Sequence, residues 1–117
     1  MIVFYIYLQS NLSFDDLANV FRKIINCNSS NQTKGQIEQI RYGENYGGKY
    51  YLMEACGIEF KLIKNTGEVI EEDFSQYQYY LLCHCIASVN DTYVRGFILY
   101  VAELLRIKGI HNVSREL

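Results

Sequence analysis

A Cys-His-Cys triplet is the first group in the sequence with the chemistry of a metal site. Cys83, His84 and Cys85 are consecutive, and thiolate and imidazole groups are good ligands for zinc and copper. The aromatic and aliphatic residues around the triplet favour a central β-strand. Because side chains alternate along a strand, both cysteines would point to one face and His84 to the other. We therefore predict ordinary core cysteines, with no metal ligand, catalytic residue or cofactor.

Carboxylates form the second group with possible chemistry. Glu68, Glu71, Glu72 and Asp73 place four acids within six residues, after a predicted turn. Paired carboxylates can hydrolyse glycosides, but such a run beside a turn is more often a solvated sheet edge. The same negative charge steers a basic partner and speeds its association. These four residues are the acidic part of a predicted recognition patch.

Tyrosine is the third type of interest, with 11 residues in the chain. Its large rigid ring and polar tip make it common at protein interfaces, although aromatic residues are also ordinary strand residues. Tyr46 differs from most of the others because it lies in a predicted turn between Gly43 and Gly48. That glycine cluster connects two strands and does not precede a helix, which argues against a phosphate loop. Tyr46 is therefore the predicted aromatic anchor of the patch.

Two amphipathic helices are predicted to position these groups. Ser13 is a typical N-cap with Asp15 and Asp16 in the following turn, and apolar residues then recur at helical spacing to about Asn26. Asn90 or Asp91 caps a second helix that Gly109 ends. Its predicted buried stripe consists of Val94, Phe97, Ile98, Val101, Leu104 and Leu105.

The remaining periodicity is that of strands joined by short turns. A bend or bulge is predicted at Gly57, a hairpin turn at Asn65 to Gly67, and a short strand or tail after Gly109. The predicted strands cover residues 1–8, 37–42, 49–56, 57–64, 68–71 and 76–86. Short connections make consecutive strands antiparallel. The fold class is therefore α+β: one domain, residues 1–117, with an antiparallel sheet of about five to six strands and both helices on one face.

Composition excludes several classes of protein. The chain has 11 basic and 13 acidic residues, a net charge of −2, and 50% hydrophobic residues, which is unlike a disordered chain. Its Lys and Arg residues are scattered, with no group larger than the pair Arg22 and Lys23, so direct nucleic-acid binding is not expected. No apolar stretch reaches the roughly 20 residues of a membrane span, and the apolar start lacks the flanks of a secretory signal. We expect a cytoplasmic protein with reduced thiols; five Asn-x-Ser/Thr triplets leave glycosylation as the opposing interpretation.

The pattern of turns and strands resembles a known class. Three segments, Tyr46 to Tyr51, Gly57 to Leu62 and Asn65 to Glu68, in a slightly acidic domain without proline, resemble small bacterial immunity proteins of the contact-dependent growth inhibition type. The resemblance implies an inhibitor with no enzymatic activity. It would bind the C-terminal domain of a cognate toxin, a basic nuclease, and occlude its active site. The toxin-binding residues would be Glu68, Glu71, Glu72, Asp73 and Tyr46.

Two other functions stay open at the level of sequence. One is a small enzyme or ligand-binding domain whose pocket lies between the sheet and the helices and contains Cys83 or His84. The other is a structural subunit whose strand edge pairs with another copy.

Overall fold

Six β-strands form one sheet in the part of the chain that the structure describes, and two α-helices pack on it. The structure is a computed structural model and describes residues 2–28, 39–43, 48–65, 76–86 and 90–117. The elements follow one another as β1 (Val3–Gln9), α1 (Phe14–Asn28), β2 (Gln39–Gly43), β3 (Gly48–Ala55), β4 (Ile58–Lys64), β5 (Tyr79–Cys85), α2 (Asp91–Ile107) and β6 (His111–Glu116). The predicted α+β class and strand number are confirmed. The predicted strand 68–71 lies outside the described residues.

The strand order in the sheet is β2-β3-β4-β5-β1-β6, and every neighbouring pair is antiparallel. β1 lies between the two late strands, so that Phe4 is opposite Cys83 on one side and Glu116 on the other. The first strand of the chain is therefore an inner strand of the sheet. Both strands that pair with it come from the second half of the chain.

Both helices begin as the sequence predicts. The Ser13 hydroxyl accepts a hydrogen bond from the backbone N–H of Asp16 at 3.1 Å, which satisfies a donor that the first turn leaves unpaired. At α2 the cap is Asn90, whose Oδ1 accepts from the N–H groups of Thr92 at 2.8 Å and Tyr93 at 3.2 Å. α2 ends at Ile107, two residues before Gly109, whose φ of 85° suits glycine. Neither described helix is long and apolar enough to cross a membrane.

The main core lies between the helices and one face of the sheet. Its largest fully buried side chains include Ile6, Phe60 and Leu81 from the strands and Leu17 and Ile25 from α1. The predicted stripe of α2 is confirmed: its residues are buried, except that Phe97 and Leu104 are partly buried against the same core.

The opposite face of the sheet carries a second apolar cluster. Five strands contribute one residue each to a row that runs straight across the register, in the order Tyr50, Ile63, Tyr80, Tyr7 and Val113. Tyrosine supplies three of these five positions, and most of the row is buried. These tyrosines therefore contribute to packing.

The predicted bend or bulge at Gly57 is wrong. Cys56 and Gly57 form a two-residue turn between β3 and β4, with φ angles of 56° and 79°. Positive φ at both positions is the conformation of a type I′ hairpin turn, whose twist matches that of the flanking strands. The segment after Gly109, predicted as a strand or tail, is strand β6.

Candidate binding surface

The predicted toxin-binding residues all lie outside the described part of the chain. This holds for Glu68, Glu71, Glu72, Asp73 and Tyr46. The chain on either side of the acidic segment is described: the Asn65 amide group donates to the Tyr77 carbonyl at 2.8 Å, and the Asn65 N–H donates to the Gln78 carbonyl at 2.9 Å. The acidic segment, residues 68–73, therefore connects the neighbouring strands β4 and β5. Its role in binding stays a prediction.

The Cys-His-Cys triplet is divided between the two faces of the sheet, as predicted. Cys83 is fully buried in the main core, and burial raises the pKa of its thiol far above the ordinary value. Such a thiol stays protonated and unreactive. On the other face, His84 Nε2 lies 3.5 Å from a Glu59 carboxylate oxygen, which Lys61 also approaches to 3.4 Å. The described residues hold no group of three or more potential metal ligands.

The most conspicuous surface feature is the outward side of α2. Four large apolar side chains of this helix are exposed: Tyr93 at 46%, Leu99 at 48%, Tyr100 at 49% and Ile107 at 72%. Gly96 lies among them. We call these five residues the α2 outer surface.

Helical geometry explains why these residues share one side. At about 3.6 residues per turn, positions 93, 96, 100, 103 and 107 lie along one line, with Leu99 beside it, so the exposed Glu103 lies among the apolar residues of this line. This line is opposite the buried residues Val94, Ile98, Val101 and Leu105. A helix that is apolar on both sides is normally covered on both sides. Exposed apolar side chains grouped in this way, here around the single carboxylate of Glu103, mark a candidate interaction site.

Gly96 makes a notch in the middle of the surface. Apart from its chain neighbours and the nearby backbone of its own helix, a Cβ atom placed on Gly96 would meet no atom within 4 Å, so packing against the rest of the chain does not require glycine here. Glycine inside a helix costs about 1 kcal/mol relative to alanine. The neighbours three and four residues away on a helix are adjacent on its surface. Tyr93, Leu99 and Tyr100 therefore border an open notch that a partner's side chain or backbone can enter.

Arg95 and Arg106 lie along one margin of the α2 outer surface, and Glu103 lies within it. Arg95 donates two hydrogen bonds of 2.9 Å to the Glu116 carboxylate on β6, and this contact lowers the pKa of Glu116. Arg106 donates to Glu103 at 2.9 Å, one turn away on the same helix. An apolar centre with a charged rim is the usual arrangement of a protein interface.

Tyr93 is fixed in place by two contacts. Its ring stacks on Phe97 at a centroid distance of 6.2 Å with 17° between the ring planes. Its hydroxyl is hydrogen-bonded to the Cys56 thiol in the β3–β4 turn, and this bond, together with burial, raises the pKa of Tyr93. A side chain that is already ordered loses little entropy on binding, which favours Tyr93 as an anchor.

A small cleft between the helices adjoins the surface at Ile107. It has a volume of about 130 Å³ and is lined by Ile24 and Lys23 of α1 and by Leu104, Ile107 and Lys108 of α2 and its C-terminal end. This cleft is well below the roughly 300–1,000 Å³ of a typical small-molecule site. It extends the apolar surface towards α1.

Sequence reasoning missed the α2 outer surface. The periodic stripe of α2 was assigned to the core, which is correct, and the apolar residues on the other side were left unexplained. The signal was present in the sequence, because Tyr93, Leu99, Tyr100 and Ile107 make α2 apolar on both sides.

Comparison with known proteins adds no relative: no family profile, curated protein or solved structure matches the chain.

Proposed function

We propose that this protein is an immunity protein that binds the C-terminal domain of a cognate bacterial toxin and blocks its active site. The proposal rests on one structural observation, the α2 outer surface, which exposes four large apolar side chains around a notch at Gly96. Such a surface supports a role in binding another protein.

The residue types on this surface suit a tight contact. Interface energy is concentrated in a few buried aromatic and arginine side chains surrounded by residues that exclude water. Tyr93 and Tyr100 supply two aromatic anchors, Arg95 lies on the margin, and Glu103 lies between the apolar side chains. In this proposal the α2 outer surface is the centre of the toxin contact and supplies most of its affinity.

The acidic segment has a separate role in the proposal. A nuclease active site is electropositive because it holds phosphates. Glu68, Glu71, Glu72 and Asp73 would attract such a domain over distance, and Tyr46 would add a contact at the edge. Charges of this kind mainly set the association rate, whereas the buried apolar centre sets the dissociation rate.

Co-expression with a toxin domain tests the proposal. The probe is the C-terminal domain encoded by the reading frame immediately upstream, expressed in bacteria with and without this protein. We expect the wild-type chain to restore growth, and the purified chain to compete with substrate in the toxin's activity assay. Growth arrest that the wild-type chain does not relieve would contradict the proposal.

Two leucine-to-glutamine variants distinguish the loss of a binding contact from a general effect of replacing an exposed leucine. Leu99→Gln removes an apolar side chain from the α2 outer surface and keeps a good helix former. Leu117→Gln makes the same change at another exposed leucine, in the last described position of the chain. We expect Leu99→Gln to speed dissociation from the toxin domain about tenfold, a loss of about 1.4 kcal/mol, and Leu117→Gln to change nothing.

Replacing the four acids by lysine tests the steering role. We expect slower association, a weaker dependence of association on salt and an unchanged dissociation rate. An unchanged association rate would exclude the acidic segment from the contact.

A further inference from the structure

We infer that two copies of this chain pair through the α2 outer surface in an antiparallel arrangement when no other partner covers it. This inference goes beyond the proposed function and is argued independently of it, from the shape and charge of α2.

The first argument is the shape of the surface, which is complementary to itself. A twofold axis at the level of Ile98 places Gly96 of one copy opposite Tyr100 of the other. The Tyr100 ring then enters the notch at Gly96, where no side chain beyond the chain neighbours lies within 4 Å of the Cβ position. The symmetry repeats this contact, so both notches are filled by one arrangement.

The second argument is the order of charges along the helix, with Arg95 at the margin of the surface and Glu103 within it. The same axis brings Glu103 of one copy to within two residues, about 3 Å of helix rise, of the level of Arg95 in the other. Each already forms an ion pair within its own chain, Glu103 with Arg106 and Arg95 with Glu116, but both side chains stay well exposed, at 59% and 44%, so a second copy can add to these pairs. A parallel pair would instead place Glu103 against Glu103, and would align the two helix dipoles unfavourably. Charge therefore favours the antiparallel pair.

The third argument concerns strength. α2 has 17 residues and is about 25 Å long, so one helix from each copy makes a small interface. Interfaces below about 1,200 Å² are typical of weak and transient complexes. We expect a dissociation constant of about 10 µM, which corresponds to about −7 kcal/mol. A pair of this strength hides the apolar surface and still exchanges readily.

Sedimentation velocity tests the pairing. With the wild-type chain at about 1 to 300 µM, we expect the weight-average mass to rise from that of a monomer towards that of a dimer. Leu99→Gln should weaken the dimer at least tenfold, and the matched change Leu117→Gln should leave it unaltered. Monomers at every concentration, or a dimer that Leu99→Gln does not weaken, would overturn the inference.

Disulfide trapping tests the arrangement. Gly96→Cys and Tyr100→Cys are made in separate chains that keep Cys56, because its thiol contacts Tyr93 on the α2 outer surface, and crosslinking of the wild-type chain through this exposed thiol is the background. We expect the mixture to form a crosslinked heterodimer faster than either chain crosslinks with itself, because position 96 faces position 100. Preferential crosslinking of like with like would show a parallel pair and overturn the antiparallel arrangement.

The outcomes also separate this inference from the proposed function. A wild-type chain that stays monomeric but protects cells from the toxin domain contradicts the inference alone. A chain that dimerises through α2 but binds no toxin domain contradicts the proposed function alone. If the chain both dimerises through α2 and binds the toxin domain, the second copy and the toxin domain compete for the same surface. The toxin domain should then convert dimers into one-to-one complexes.

Discussion

At the scale of single residues, Cys56 has an unusual backbone conformation. Its φ of 56° is followed by 79° at Gly57, and the left-handed region costs an ordinary residue about 1 kcal/mol or more. Asparagine tolerates this region best after glycine, and Asn-Gly is the preferred pair in a type I′ turn. We predict that Cys56→Asn raises the free energy of unfolding by about 0.5–1 kcal/mol, measured by urea denaturation.

The control for this prediction is a substitution at the same position by a residue that fits positive φ poorly. Cys56→Val introduces a β-branched side chain, which is a poor fit at positive φ. We expect it to lower the free energy of unfolding. Equal stabilities for the Asn and Val variants would show that the turn conformation does not limit stability.

Tyr51 gives a prediction about alkaline pH. It lies in the main core, where burial and then a hydrogen bond from its hydroxyl to the Asp15 carboxylate raise its pKa to about 12 from the ordinary value of 10. Folding therefore favours the protonated hydroxyl. The resulting stabilisation is complete below pH 10 and is lost as the pH rises through about 12.

The measurement is urea denaturation between about pH 9 and pH 12. We expect the wild-type chain to lose stability over this range faster than Tyr51→Phe, which has no group to ionise. At neutral pH the variant should be less stable by about 1 kcal/mol, the usual net value of one hydrogen bond. Parallel pH curves would contradict the assigned cause of the raised pKa.

At the scale of elements, we predict that replacing two glycines of the α2 region by alanine has opposite effects on stability. Gly96 lies inside α2 with open space around its Cβ position, whereas Gly109 ends the helix at a φ of 85°. We predict that Gly96→Ala stabilises the fold by about 0.5–1 kcal/mol and that Gly109→Ala destabilises it by about 1 kcal/mol. Thermal unfolding of the two variants checks this prediction.

The same pair separates stability from binding. Gly96→Ala should weaken self-association by partly filling the notch, while it makes the monomer more stable. A variant that gains stability and keeps full self-association would mean that the notch is not part of a close contact.

The sequence predicted the elements better than their arrangement. Local signals sufficed for the caps at Ser13 and Asn90 and for strand β5, because each depends on neighbouring residues. The turn at Cys56 was misinterpreted because cysteine is not a usual residue at positive φ. The position of β1 between β5 and β6 depends on contacts across most of the chain, which no local pattern encodes.

The candidate site also has a part that local sequence predicts and a part that only the fold reveals. Charge pattern and turn chemistry alone selected Glu71 and Tyr46, whose surroundings the structure does not describe. The α2 outer surface required the fold, because a helix that is apolar on both sides does not reveal which side is buried. Only the packing of Val94 and Ile98 into the core shows that Tyr93 and Tyr100 are left outside.

At the scale of the whole molecule, the sheet joins distant parts of the chain around β1. Ile6 of β1 is opposite Leu81 and Ser114, each more than 70 residues away in sequence. Ile58 of β4, by contrast, pairs with Ala55 across the two-residue turn. Closing a long loop costs more entropy than closing a short one, and distant contacts slow folding. The β3–β4 hairpin should therefore form before β1 enters the sheet.

A matched pair of substitutions tests this order of events. Ile6→Val and Ile58→Val remove the same methylene from two fully buried positions, each at a cost of about 1 kcal/mol. If β1 docks late, Ile6→Val should mainly speed unfolding, with a φ-value of about 0–0.3. Ile58→Val should mainly slow folding, with a φ-value of about 0.5 or more. Stopped-flow measurements over a range of urea concentrations give both values, and equal values would show that β1 joins the sheet together with the hairpin.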